Sequence, residues 1–229
     1  MTRDVPAFRT IARLMCHTTE QVLWQHFRPN LHPDSQLVCR PGSGRATYHR
    51  FDYRTRDHLI TYGVRMVAAK HDPVTAAGWL STREIHSRGY FGGSLSVLNL
   101  LAHTCTHEFA HLLQQHDGKR YHGSVHNHHF YGLLDQLNGD GLAERVRQHL
   151  ARSAHDLGLT LDTRPMPLPG PGHQVRQWQP GEAVRFGKGA ASREGVVVRV
   201  NRKTCTVNGT GHSQGLRFRV PFVMLSSLD

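Results

Sequence analysis

His107-Glu108-Phe109-Ala110-His111 reads as HExxH. On an α-helix this spacing sets two imidazoles one turn apart on one face, with a carboxylate between them angled the same way. Such a pair can hold zinc while the glutamate acts as general base toward water at the metal's open position. The chain carries 19 histidines and 6 glutamates in 229 residues. The pattern would therefore arise by chance in roughly one such sequence in twenty-five, and its surroundings decide its weight.

Those surroundings are helical. The stretch 94–115, SLSVLNLLAHTCTHEFAHLLQQ, holds no Pro or Gly, opens on a Ser that can cap a helix and stops before Asp117-Gly118. Leu98, Leu101, Cys105, Phe109 and Leu112 recur at helical spacing, which predicts a buried stripe beside the motif. His103 extends the face of His107 and His111, so His103/His107 is a rival metal pair. It brackets Thr104 where a general base belongs, which favours His107/His111.

A zinc peptidase needs three protein ligands and one open position. The metzincin continuation requires Gly at 114 and His at 117; the chain has Gln114 and Asp117, which excludes it. The next Glu is Glu144, beyond another expected helix, which disfavours a glutamate ligand. The following HDGKRYHGSVHNHHFYGLLDQL offers His116, His122, His126, His128 and His129 as third ligands. Phe130, Leu133, Leu134 and Leu137 predict a second helix entered near His126.

HExxH, a loop, then a His four residues before an aromatic and an apolar helix resembles the SprT-like zincins, the group containing the Spartan proteases, and the related WLM and YgjP-type metallopeptidases. The resemblance covers mainly residues 80–140. It implies a zincin-like domain binding one zinc ion, with His126 as third ligand and Phe130 at the aromatic position. The family pattern has Gly or Ser after this His, whereas the chain has Asn127. The literal His-Gly pair, His122-Gly123, is followed four residues on by His126 rather than an aromatic, so His122 stays as the second candidate, ahead of His128 and His129. The resemblance also implies proteolysis of DNA-associated proteins, as in crosslink repair. Tyr121, His122, His128 and His129 are nearby candidates to stabilise an oxyanion, and Asp117 or Asp135 could orient a ligand imidazole.

Composition predicts a globular α+β protein: 38% hydrophobic, 20% charged, with apolar runs too short to span a bilayer. Arg3, Asp4, Arg9 and Arg13 interrupt any secretory pattern. Cys16, Cys39, Cys105 and Cys205 form no C-x-x-C pair, which predicts free thiols in a reducing cytoplasm and excludes a four-cysteine zinc ribbon. The net charge of +11 points to nucleic acid as a partner, with nucleoid association the corollary. Residues 173–229 hold nine Lys/Arg against three acids, so a quarter of the chain carries more than half the net charge.

In chain order, a helix is expected from Pro6 to Phe27 and a surface turn at RPGSGR (40–45), which lacks a P-loop ending. TYHRFDYRT and HLITYGVRMV predict a hairpin, and a short strand is expected at Glu84–Phe91. A third helix should bury Leu142, Val146, Leu150 and Leu157. Prolines at 165, 167, 169 and 171 mark a linker. The resulting division is a zincin-like domain at 1–162, a Pro-rich linker at 163–174 and a basic SH3-like β-barrel at 175–229. In the last, Arg217 and Arg219 alternate with Phe218 and Val220, and with Arg199, Arg202 and Lys203 form the expected nucleic-acid face. Two other functions stay open: a zinc peptidase of one regulatory protein without nucleic acid, and a non-enzymatic nucleic-acid-binding protein with a structural zinc. The intact Glu108 counts against the latter, since a structural site needs no base.

Overall fold

The computed structural model describes residues 5–167, 178–187, 192–201 and 204–228. The chain is α+β and divides into two compact units, Met1–Leu168 and Pro169–Asp229, each with its own core. Among the described residues no helix is long and apolar enough to cross a membrane.

The first unit opens with α1 (Val5–Thr18), which buries Ile11, Ala12 and Met15. It continues through a π-helical stretch, Thr19–Trp24, and a last turn, Gln25–Phe27. The buried Thr19 hydroxyl donates to the Met15 carbonyl at 2.8 Å and shares a hydrogen bond with the Tyr62 hydroxyl at 2.6 Å. The polar residue interrupting the apolar stripe is thereby satisfied inside the core.

Strands β1 (Gln36–Gly42), β2 (Tyr48–Phe51) and β3 (Asp57–Gly63) form a sheet in the order β1-β3-β2. The expected hairpin is β2 against β3, antiparallel. The parallel β1 departs from the expected turn, because Arg40-Pro41-Gly42 has turn composition; it is an edge strand, where Pro is tolerated. The second expected β segment is a strand only as far as Gly63, and Val64–Ala69 is helix α2. A Cβ at Gly63 would stand 2.5 Å from the Gly44 carbonyl oxygen, so the close crossing of the loop requires glycine there.

The expected strand at 84–91 is instead helix α3 (Leu80–Arg88), closed by Gly89 at φ +71°. Its buried positions are Ser81, Thr82, Glu84 and Ile85. Their spacing is helical, but three of the four are polar, so an apolar pattern does not reveal it. Helix α4 (Val97–His116) carries the motif; Ser96, not Ser94, caps it, accepting from the Asn99 amide at 3.1 Å. Helices α5 (His128–Gly139) and α6 (Leu142–Asp156) complete the unit. Leu142, Val146 and Leu150 are buried, whereas Leu157 lies just past α6 and is exposed. Of the expected linker, residues 163–167 run along this unit, with the Met166 amide donating to the Leu95 carbonyl; residues 168–174 lie outside the described ones.

The second unit is an antiparallel sheet of β4 (Ala183–Phe186), β5 (Arg193–Val200), β6 (Thr204–Gly209), β7 (Arg217–Pro221) and β8 (Leu225–Ser227), ordered β7-β6-β5-β4-β8. Val184, Phe186, Val197, Cys205, Val207 and Val220 build its core with Trp178.

Leu101 on α4 is fully buried in the first core. Leu101→Ala should cost about 2–5 kcal/mol of unfolding free energy, read as a shift in the urea midpoint; a loss under about 1 kcal/mol would contradict this packing.

Candidate metal centre

Helix α4 places His107, Glu108 and His111 at one end of a cavity of about 250 Å³. His126 reaches the same point from the loop before α5. Its Nε2 lies 3.2 Å from His111 Nε2 and 3.2 Å from His107 Nε2. Tetrahedral ligands at 2.0–2.1 Å from one zinc ion stand about 3.3 Å apart, so the donor set fits a single ion. His111 is buried, His107 half-buried and His126 exposed. The other four histidine candidates are not brought into this cluster: His116, His122 and His128 are exposed, and His129 donates to Asp117 Oδ2 at 2.8 Å.

Each helix imidazole is fixed from behind. His107 Nδ1 donates to Glu84 Oε2 at 3.0 Å, and the same oxygen accepts from His103 Nε2 at 2.8 Å. The bond sets the His107 tautomer, leaving the Nε2 lone pair toward the centre. Glu84, His103 and His107 also bring one donor atom each within 4.8 Å of one another, a second group that could hold an ion, but its His107 nitrogen is Nδ1 rather than the Nε2 that meets His126. His111 Nδ1 donates to Gln114 Oε1 at 3.2 Å, and the Gln114 amide donates to the Val125 carbonyl and to Asn127 Oδ1, both at 3.0 Å. Asn127 also accepts from the Phe130 amide, capping α5. Asn127 thus ties the His126 loop both to α5 and, through Gln114, to α4. Phe130, fully buried, stacks on His111 at 4.3 Å and presents its edge to His107 and His126, each at 4.9 Å.

Electrostatics favour ligation. Burial pushes His111 down to about 3 and also lowers His126, so both imidazoles are neutral donors near pH 7. Burial raises the Glu84 carboxyl, but hydrogen bonds from His103 and His107 outweigh it and hold the group below the usual carboxylate range. Glu108 is buried and its carboxyl is raised by desolvation, against the opposing pull of His107, Arg120 and Lys70.

Neither Asp117 nor Asp135 orients a ligand: Asp117 holds His129, and Asp135 accepts from Arg88 and Tyr90. Among the expected oxyanion donors none lines the cavity; Arg120 does. Its guanidinium donates to His49 Nδ1 at 2.5 Å and to the His49 carbonyl at 3.2 Å. His49 Nε2 in turn meets His58 Nδ1 at 2.9 Å. Glu84, Gln114, Arg120 and Lys70 carry no motif, and only Gln114, three residues after His111, stood at a helical spacing that could have flagged it.

In the second unit Arg199, Arg217 and Arg219 are exposed. Arg199 and Arg219 both pair in register with Thr206, from opposite sides, and Arg217 lies two residues before Arg219, so the three share one face. Arg202 and Lys203 lie outside the described residues.

Glu84→Gln should weaken zinc affinity about 10–100-fold without unfolding the chain, as measured by competition with a chromogenic chelator. Unchanged affinity would remove Glu84 from the centre. The metal-free protein should also be acid-labile. Burial holds His49 near 2 and His58 and His103 near 4 in the fold, below their ordinary 6.5. Below pH 6.5 the unfolded chain binds these protons and the folded one does not. Stability therefore falls with pH down to about 4, by on the order of 1 kcal/mol per pH unit for each imidazole. Equal urea midpoints at about pH 7 and pH 5 would contradict their burial.

The chain matches no protein-family model, no curated protein and no solved structure.

Proposed function

We propose that the chain is a zinc-dependent endopeptidase, with a SprT-like, zincin-type catalytic unit and a basic SH3-like barrel that binds nucleic acid, acting on proteins associated with DNA. The observation that carries this reading is the convergence of three imidazole Nε2 atoms beside a buried Glu108 at an open cavity. A structural zinc site is closed by four protein ligands; a three-ligand set facing a cavity is suited to chemistry.

Zinc held by His107, His111 and His126 would supply a Lewis acid that polarises a scissile carbonyl and acidifies water. Glu108 takes the proton from the attacking water on its carboxylate and returns it to the leaving amine. Its burial favours this shuttle by bringing the carboxyl's proton affinity closer to that of its partners. Arg120, held rigid by His49, lines the cavity where negative charge develops on the carbonyl oxygen and offsets it. Strand β2, an edge of its sheet beside α4, brings Tyr48 to the cavity wall with Thr47, and its His49 carbonyl is taken by Arg120.

The test is cleavage of a mixture of DNA-binding proteins with and without single-stranded DNA. Glu108→Gln should lower turnover at least about 100-fold while zinc content stays the same. Cleavage that needs Glu108 but ignores DNA would discard the nucleic-acid role and favour a dedicated protein substrate. No cleavage by the unaltered chain would remove the peptidase.

Replacing Arg199, Arg217 and Arg219 together by Ala should weaken binding of single-stranded DNA. The slope of log K against log salt should shallow by about 0.7 for each phosphate that these arginines neutralise. An unchanged slope would place the nucleic-acid surface elsewhere.

A further inference from the structure

The charge of the first unit is concentrated on its sheet. Residues 1–168 hold nineteen Lys/Arg against fourteen acids, and residues 36–65, the three strands with their turns and the first residues of α2, hold six of those cations against two acids. The sheet segment thus carries +4 of the unit's +5, and the remainder of the unit is nearly neutral. Within it Arg50, Arg54 and Arg56 stand exposed on the β2–β3 hairpin, and among the described residues no carboxylate forms an ion pair with them. Asp52 is half-buried and accepts the Arg54 amide on Oδ1 at 2.8 Å. Arg56 adopts φ +62°, a left-handed conformation that glycine would take at lower cost. At the tip, Tyr53 is 77% exposed, yet its position is set: Phe51 meets it edge to face at 5.0 Å, and Gln115 on α4 donates to its hydroxyl at 3.2 Å. Phe51 is anchored in turn by the buried His58 ring at 4.7 Å. An aromatic ring that the fold holds outward, flanked by cations without counter-ions, suits a ligand with flat faces and negative charge.

We infer that this hairpin is a second nucleic-acid surface, separate from the arginines of the second unit, on which an unpaired base of single-stranded DNA stacks on Tyr53 while Arg50, Arg54 and Arg56 neutralise phosphates beside it. That the strand is DNA rests on the reading proposed above; that it is single-stranded rests on Tyr53. A stacking ring needs the open face of a base, which a duplex buries within its own stack, whereas every base of a single strand offers one. The contact is therefore tolerant of sequence and sensitive to salt. Gln115 lies four residues after His111 on α4, so the base is held about one helical turn beyond the motif. The strand is then gripped by the same unit that carries the candidate metal centre.

The experiment measures binding, so it does not depend on turnover. Two short fluorescein-labelled DNA strands with the same number of phosphates, one of mixed sequence and one abasic, are followed by anisotropy. They are titrated onto the unaltered chain and onto the full-length chain with Arg199, Arg217 and Arg219 replaced by Ala, which removes the second unit's arginines. On the latter the mixed strand should bind at least about fivefold more tightly than the abasic one. Adding Tyr53→Ala should bring the two strands within about twofold of each other, and Tyr53→Trp should keep them apart. Replacing Arg50, Arg54 and Arg56 by Ala should weaken both strands and shallow the slope of log K against log salt by about 0.7 for each phosphate no longer neutralised. Equal affinity for the two strands, an equal loss on both with Tyr53→Ala, or an unchanged salt slope overturns the surface. So does displacement by polyglutamate or by phosphatidylserine vesicles as effective as that by unlabelled strand, since an acidic protein or a membrane is then the partner. Should Tyr53→Ala not fold, an iodouracil-containing strand photocrosslinked to the unaltered chain must be recovered on Tyr53; recovery only elsewhere overturns the surface. Loss of all binding with the second unit's arginines replaced ends this surface and leaves theirs, whereas no binding by the unaltered chain ends the nucleic-acid reading as a whole.

Discussion

The Glu84 carboxylate, 3% exposed and hydrogen-bonded through one oxygen to two imidazoles, is the constraint around which the first unit is arranged. An anion so deep is tolerated only where donors meet it, because an unpaired buried charge costs several kcal/mol. His103 and His107 are those donors, one turn apart on α4, and they lock α3 against it. The same bond that engages one oxygen of the anion fixes which nitrogen of His107 faces outward. A requirement of the core and the orientation of a candidate metal-holding imidazole are met by one contact.

A second brace does for His111 and His126 what Glu84 does for His107. Gln114 is fully buried, takes the His111 Nδ1 proton on its oxygen and commits its amide to the loop that carries His126. Asn127 adds the helix cap that aims α5, and Phe130 closes the space behind all three rings. These contacts converge on the side of the three rings away from their meeting nitrogens.

The cavity in front of the centre has an unusual balance. Burial holds His111 well below the usual imidazole range, the one acid on the wall is Glu108, Arg120 brings a positive charge, and burial lowers the Lys70 ammonium to about 7. Arg120 is held by a chain that runs through His49 to His58, so its guanidinium is anchored to the sheet rather than left on a mobile loop. The groups share one cavity wall with the three imidazoles, and burial around them keeps their interaction strong.

Much of the site was legible in the sequence because its parts are local. HExxH fixes the relation of His107, Glu108 and His111 through helix geometry alone, and the apolar spacing around Leu101, Cys105 and Phe109 announces which face is buried. The position of Phe130 four residues on put His126 first through resemblance to a known pattern, with His122 second, and the tertiary structure brings His126 to the pair. What the tertiary structure decided is everything joined by long-range contact. Glu84 sits 19 residues before His103 and 23 before His107 on a helix whose buried face is polar, so neither distance nor hydropathy could connect them. Strand β1 hid behind Pro41 and Gly42 because edge position, not propensity, permits it. Lys70 and Arg120 look like ordinary surface cations in the sequence; only packing against Thr104 and His49 brings them to the cavity. Local periodicity is written in neighbouring residues, whereas a buried charge and its partner meet only once the chain has folded.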